Sequence, residues 1–332
     1  MPKIVVILFL FICELSFAQD IHWSQFFNNS LYLSPANSGN FKGNTRFVSS
    51  YREQWKSVTK PFKTFSFSYD THLKEKQDVG LGFLLFNDNS GDGKFKTIEL
   101  QFMPSYRKFL NKDSTQQLTA GLQIAFNHRQ FTFPNFYFDE QYNGLNYDPN
   151  SPITEELITS KRNNFSLGSG ISYEIIKDKK HSFQFGFSAF NLNQPNQGFY
   201  GEKVKRDVRL SLFANATIKL NEKINVLPSF IFQKQGTFRE LIFGSQVKCT
   251  LKNDAKTYKA ISGGIFMRKK DAFFLNFGID LNNFYVALSY DVNISNLKPA
   301  SNSRGGFELN LKYIFNKYKP KQIQHRVCPE FI

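Results

Sequence analysis

The 332-residue chain carries 42 Lys and Arg against 27 Asp and Glu, a net charge of +15, and its 39 Phe help lift the aromatic share to 17%. Mean hydropathy is nonetheless −0.38, so apolar side chains are abundant but diluted by polar ones, and beyond the N-terminus no run nears the ~20 apolar residues of a membrane helix. A bundle of transmembrane helices is excluded, whereas a wall whose outward apolar and inward polar positions alternate is not.

Lys3, an apolar run over residues 4–12 and the small residues of Ser16-Phe17-Ala18 have the layout of a secretory signal cleaved after Ala18. Cys13 lies inside the apolar run behind bulky Phe11 and Ile12, which argues against lipoprotein processing. Residues 1–18 are therefore expected to be a signal peptide. Outside the cytoplasm the anions open to a basic protein are lipid headgroups, surface polysaccharide or an acidic protein, and not nucleic acid.

Residues 19–43 hold Trp23, Phe26, Phe27, Tyr32 and Phe41 without a strand period and break at Ser34-Pro35. Aromatics in that setting suit a segment tucked into a barrel or laid against a partner. Strict alternation follows, as in Phe65-Ser66-Phe67-Ser68-Tyr69-Asp70, Phe183-Gln184-Phe185-Gly186-Phe187-Ser188 and Phe307-Glu308-Leu309-Asn310-Leu311-Lys312. Similar runs begin near Asn44, Val79, Lys94, Gln116, Asn163, Arg206, Lys223, Glu240, Thr257, Ala272 and Asn283. The expected fold is all-β, a transmembrane antiparallel β-barrel of about 14 strands over residues 44–316, followed by a basic tail over 317–332.

The connections fit an outer-membrane barrel, which has short turns on one side and longer loops on the other. Brief polar turns fall at Lys74-Glu75-Lys76, Asn111-Lys112-Asp113, Lys177-Asp178-Lys179-Lys180, Asn221-Glu222, Lys252-Asn253-Asp254 and Leu281-Asn282. The three longest connections, over 131–162, 191–205 and 291–305, all fall on the opposite side. A secreted sandwich would bury Gln101, Gln123, Asn127, Asn215, Gln246, Asn276, Asp280, Glu308 and Lys312 in a dry core, at a cost a wet barrel interior does not impose.

Asp88-Asn89-Ser90-Gly91-Asp92-Gly93 with Glu99 has calcium-loop spacing, but it joins two strands instead of two helices, and the same residues suit an ordinary turn. Cys249 and Cys328 have no spacing that implies a disulfide. The five His stand apart, and Gly-x-Ser-x-Gly is absent, so neither an enzyme nor a cofactor is expected. The loop over 131–162 carries Phe136, Tyr137, Phe138, Tyr142 and Tyr147 among Pro and Asn, a composition of interface anchors or of a self-packed plug.

Three stretches then point to a family. Gln19-Asp20-Ile21-His22-Trp23-Ser24-Gln25-Phe26-Phe27-Asn28, Tyr32-Leu33-Ser34-Pro35-Ala36 with Gly39, and Tyr51-Arg52-Glu53-Gln54-Trp55 resemble the opening of PorP/SprF type IX secretion membrane proteins from the Bacteroidetes group. Gly80-Leu81-Gly82, Asn191-Leu192-Asn193-Gln194-Pro195-Asn196, Ser289-Tyr290-Asp291 and Cys328-Pro329-Glu330-Phe331 extend the likeness, while Ser34 and Glu330 depart from the usual pattern. The resemblance implies a non-enzymatic outer-membrane barrel, without small-molecule substrate, that works with type IX components to secrete or display surface proteins such as gliding adhesins. Trp23, Phe26 and Tyr32, with Phe136, Tyr137, Phe138, Tyr142 and Tyr147, are the expected partner-facing residues. A stand-alone porin would share the same wall and differ in having an open lumen.

Overall fold

The computed structural model describes residues 21–54, 60–73, 78–91, 95–131, 139–148, 151, 160–178, 180–199, 203–254, 256–295 and 304–316. The signal and the basic tail expected from the sequence lie outside these residues. Fourteen strands form the wall: β1 (Thr45–Gln54), β2 (Phe62–His72), β3 (Val79–Ser90), β4 (Phe95–Phe109), β5 (Gln116–Gln130), β6 (Lys161–Lys177), β7 (His181–Phe190), β8 (Arg209–Lys219), β9 (Ile224–Gln235), β10 (Phe238–Asn253), β11 (Tyr258–Arg268), β12 (Ala272–Leu281), β13 (Phe284–Asn293) and β14 (Arg304–Phe315). Each pairs antiparallel with its sequence neighbours, and β1 pairs with β14 to close the barrel. Closure removes the unpaired edges that could not survive in lipid.

The two faces of the wall follow from side-chain alternation. β12 is typical: Ala272, Phe274 and Asn276 are buried in the lumen, while Phe273, Leu275 and Phe277 are exposed outside. Large apolar side chains point outward from strands all round the barrel, among them Phe67, Phe83, Leu122, Phe165, Phe185, Leu212, Phe243 and Leu288. An apolar belt of this extent is untenable in water and natural against acyl chains. No helix among the described residues is long and apolar enough to cross a membrane, so the strands make the crossing.

Two wall prolines mark interruptions. The β4–β5 ladder lacks its rungs at Met103 and Pro104, and the β8–β9 ladder lacks those linking Ala216 and Thr217 to Leu227 and Pro228. Register is unchanged on either side, as expected where proline removes a single N–H donor.

Residues 21–44 do not join the wall. They run through the lumen, with one helical turn, α1 (Ser30–Leu33), and a 3₁₀ turn at Pro35–Asn37, before β1 begins. Ser34 interrupts the two turns in an extended conformation, and its hydroxyl accepts from the Ala36 N–H at 3.2 Å. Pro35 ends α1 because it disfavours a helical conformation in the residue before it.

Candidate functional site in the barrel lumen

The inner segment begins near the long-loop end of the barrel and finishes at the short-turn end, and the wall grips it at both. At the long-loop end the Glu308 carboxylate accepts the Ser24 and Gln25 backbone N–H groups at 2.8 and 3.0 Å. Arg52 donates to Glu308 at 2.9 Å, to Asp291 at 2.7 Å and to the Ser24 hydroxyl. Ser24 in turn donates to Asp291 at 2.7 Å. Arg268 extends the cluster to Glu240 at 3.1 Å and Asp271 at 2.9 Å. Arg52, Ser24, Gln25 and Glu308 are all fully buried, so each charge depends on its partners for solvation.

His22 sits beside this cluster, outside the strands. Burial, followed by the positive charges of Arg268 and Arg52, pushes its imidazole well below the usual histidine value.

Midway, two apolar clusters hold the segment. Phe26 and Leu33 pack with Phe213, Ile231, Ile242, Phe266 and Phe274 of β8 to β12, and Phe27 stacks on Phe266 with ring centroids 4.9 Å apart. On the other side Trp23, Leu31 and Tyr32 pack with Leu84 and Met103. The Arg209 guanidinium lies over the Tyr32 ring at 4.2 Å and the Phe190 ring at 4.3 Å. Burying a Phe or Leu side chain contributes about 1.5–3 kcal/mol, so these clusters are a substantial part of what seats the segment.

Toward the short-turn end the wall makes room with glycine. A Cβ on Gly121 would stand 2.5 Å from both Ala36 N and Pro35 O, and a Cβ on Gly80 would stand 2.8 Å from the Ser38 carbonyl carbon and closer to its oxygen. Here the backbone of the inner segment lies directly on the backbone of β3 and β5. Asp70 accepts from Gly39 N at 2.9 Å while pairing with both arms of Arg46 at 2.9 and 2.7 Å. Arg107 donates to Gly39 O at 2.6 Å, and Ser105 to Ser38 O at 2.8 Å.

These contacts correct the expectation of a wet interior. Gln101, Gln123, Asn127, Asn276 and Glu308 are buried, not bathed in water. Several satisfy one another: Gln123 donates to Gln101 at 2.7 Å, Asn127 to Glu99 at 2.7 Å, and Arg206 to Glu99 at 2.9 Å. Chain from the protein's own N-terminal region takes the place of solvent.

The proposed calcium donors are also accounted for. Asp88 accepts from Thr64 at 2.7 Å and from Ser90 at 2.5 Å, and Glu99 is held by Gln101, Asn127 and Arg206. Both face the lumen, and no cluster of three metal-binding side chains exists among the described residues. Asp92 and Gly93 lie outside those residues. Cys249 is a free thiol on β10, and Cys328 lies outside the described residues.

Of the expected partner-facing residues, Trp23, Phe26 and Tyr32 are buried in the lumen, consistent with the tucked-in alternative for their segment. Tyr142 and Tyr147 are 55% and 39% exposed on the long-loop end, paired in a small bridge around Leu145, which is 87% exposed. Phe136, Tyr137 and Phe138 lie outside the described residues. The structure thus divides the five described side chains between two places. Sequence reasoning missed the sockets: Arg52, Asp70, Gly121, Arg268 and Asp291 were not singled out as wall contacts to the inner segment. A signal existed in strands with adjacent apolar residues, such as Leu84-Leu85, Ile242-Phe243 and Phe273-Phe274, where both faces of the wall are greasy and something apolar has to lie inside.

The architecture is similar to that of solved channels. The Ralstonia pickettii toluene transporter TbuX aligns with a TM-score of 0.51 at 8% identity, covering 87% of this chain and 94% of that one. A Pseudomonas aeruginosa FadL homologue aligns at 0.50 and 8%, with 87% and 94% covered, and the CymD monoaromatic hydrocarbon channel at 0.51 and 9%, with 88% and 94%. At such identities the likeness is one of fold, that of outer-membrane barrels. No curated protein matches the sequence. A family model described as type IX secretion system membrane protein PorP/SprF matches residues 15–313, including both the inner segment and its sockets. That family comprises secretion-system membrane proteins and not enzymes, and its members work with secretion-system partners. A sealed fourteen-stranded wall, gripping its own N-terminal region and matched over nine-tenths of its length, belongs to the PorP/SprF family of type IX secretion outer-membrane proteins.

Proposed function

We propose that this barrel is a docking component of the type IX secretion and gliding machinery, one that helps secrete or anchor surface proteins such as adhesins. The observation that carries the reading is the occupied lumen: an inner segment clamped by Glu308 at one end and Asp70 at the other leaves the wall as a platform instead of an open pore. The exposed Tyr142, Leu145 and Tyr147 then offer an apolar face on the long-loop end, in keeping with a role in contacting an exported protein. The same reading counts Phe136, Tyr137 and Phe138 of that loop among the partner-facing residues.

The test is to tag the protein in its native host, cross-link mildly, purify it from outer membranes and identify its companions. Recovery of type IX components or a surface adhesin supports docking. Recovery of the barrel alone, together with steady ion conductance by the purified protein in planar bilayers, would replace this reading with that of a porin.

A further inference from the structure

Between the inner segment and the wall, in the short-turn half of the barrel, lies a chamber of about 280 Å³. The wall contributes three cations to it, Arg46, Lys248 and Lys312. Two are neutralised locally: Arg46 by Asp70, with both bonds made, and Lys248 by Asp280 at 2.8 Å. Lys312 is not. Its ammonium donates to the Asn28 side-chain oxygen at 3.2 Å and lies over the Tyr285 ring at 4.7 Å, with no carboxylate in ion-pair reach among the described residues.

An ammonium in a lipid-jacketed barrel feels weak dielectric screening, so an opposite charge placed next to it is attracted more strongly than in bulk water. The rest of the lining suits a polar guest. The Asn215 side-chain oxygen has no partner among the described residues, and Gln246 and Ser229 add an amide and a hydroxyl to the lining. With each water taking about 30 Å³ of liquid volume, the space exceeds what a single bridging water fills.

We propose that this chamber binds a small oxyanion, a carboxylate or phosphate group, with Lys312 as its principal counter-charge and Lys248 and Arg46 flanking it. Asn28, Asn37 and Asn40 of the inner segment line the same space, so the guest bridges segment to wall and tightens the seating of both.

The experiment uses the full-length protein in detergent. Thermal unfolding is followed with inorganic phosphate or succinate, each against sodium chloride of equal ionic strength. A ligand at a hundred-fold excess over its Kd raises Tm by about 4 °C for a chain of this size. Lys312→Gln abolishes the shift and Lys312→Arg keeps it. A shift with succinate alone assigns a carboxylate ligand, with phosphate alone a phosphoryl group, and with both a general oxyanion site. Phosphorus-31 line broadening of phosphate by the wild-type protein, reversed by excess succinate, reads binding without any substitution. Equal shifts in wild type and Lys312→Gln, or neither shift nor broadening with either probe, overturn the proposal.

Discussion

Replacing Gly121 and Gly80 by Ala tests whether the wall and the inner segment are built to fit. A methyl on Gly121 meets Ala36 N and Pro35 O at 2.5 Å, where 3.4 Å marks the start of ordinary contact, so the 3₁₀ turn has to retreat by about 0.9 Å. The obstructing atoms are backbone, and no rotamer change relieves them. Overpacking of this kind costs about 1–3 kcal/mol per site. Both methyls press on residues 35–38, so one movement relieves both, and the pair costs about 2–4 kcal/mol instead of the full sum. At 1.4 kcal/mol per tenfold, the population with a displaced segment rises roughly 30- to 700-fold. Planar-bilayer recordings should register more frequent opening events for Gly121→Ala/Gly80→Ala, and its Tm should fall. Gly263→Ala is the control, because its nearest neighbour would be Asn276 O at 4.0 Å. Conductance and Tm equal to wild type in the double variant would refute the argument that these glycines seat the segment.

Arg52→Met strands Glu308 as a buried carboxylate and leaves Asp291 with Arg268 alone, 3.6 Å away, a loss of about 3–5 kcal/mol, and adding Glu308→Gln should recover part of it in urea unfolding of the detergent-solubilised protein. Because His22 binds its proton more weakly when the segment is seated than in the free chain, acid favours release. Its contribution is neutral above pH ~6.5 and turns increasingly unfavourable as pH falls below that value. A Tm series from about pH 8 to pH 5 should show this acid loss in wild type and a reduced one in His22→Gln, and identical profiles would disprove the linkage. Tyr142→Ser with Tyr147→Ser should lower surface display of the exported partner while leaving Tm within about 1 °C, as expected for exposed substitutions; undiminished display would remove this loop from the docking face.

The wall was readable because period-2 alternation is local: Phe183 to Ser188 announces its two faces without reference to anything distant. Strand ends were less so. β8 begins at Arg209, not near Arg206, since Arg206 and Asp207 are polar and suit either loop or strand. The lumen was only half legible. Residues 21–44 betrayed themselves as non-wall by their aromatics, but the carboxylates that grip Ser24 and Gln25 lie more than 200 residues away in sequence, on β13 and β14. Alternation says that Glu308 points inward and is silent about what it meets there. The same limit made Gln123 and Asn127 look solvated, because a polar inward position reads alike whether water or another amide faces it.

Arg52 and Glu308 are directly opposed across the β1–β14 seam, the last pairing that the chain can make. Between them they hold Ser24, a residue that precedes both strands. A slip of one residue at that seam would turn one of the two charges toward lipid and release the serine. The N-terminal region is therefore a gauge of closure: Ser24 finds its partners only where Arg52 and Glu308 face each other inward, and a barrel closed one residue out of register is left with an unpaired charge that destabilises it.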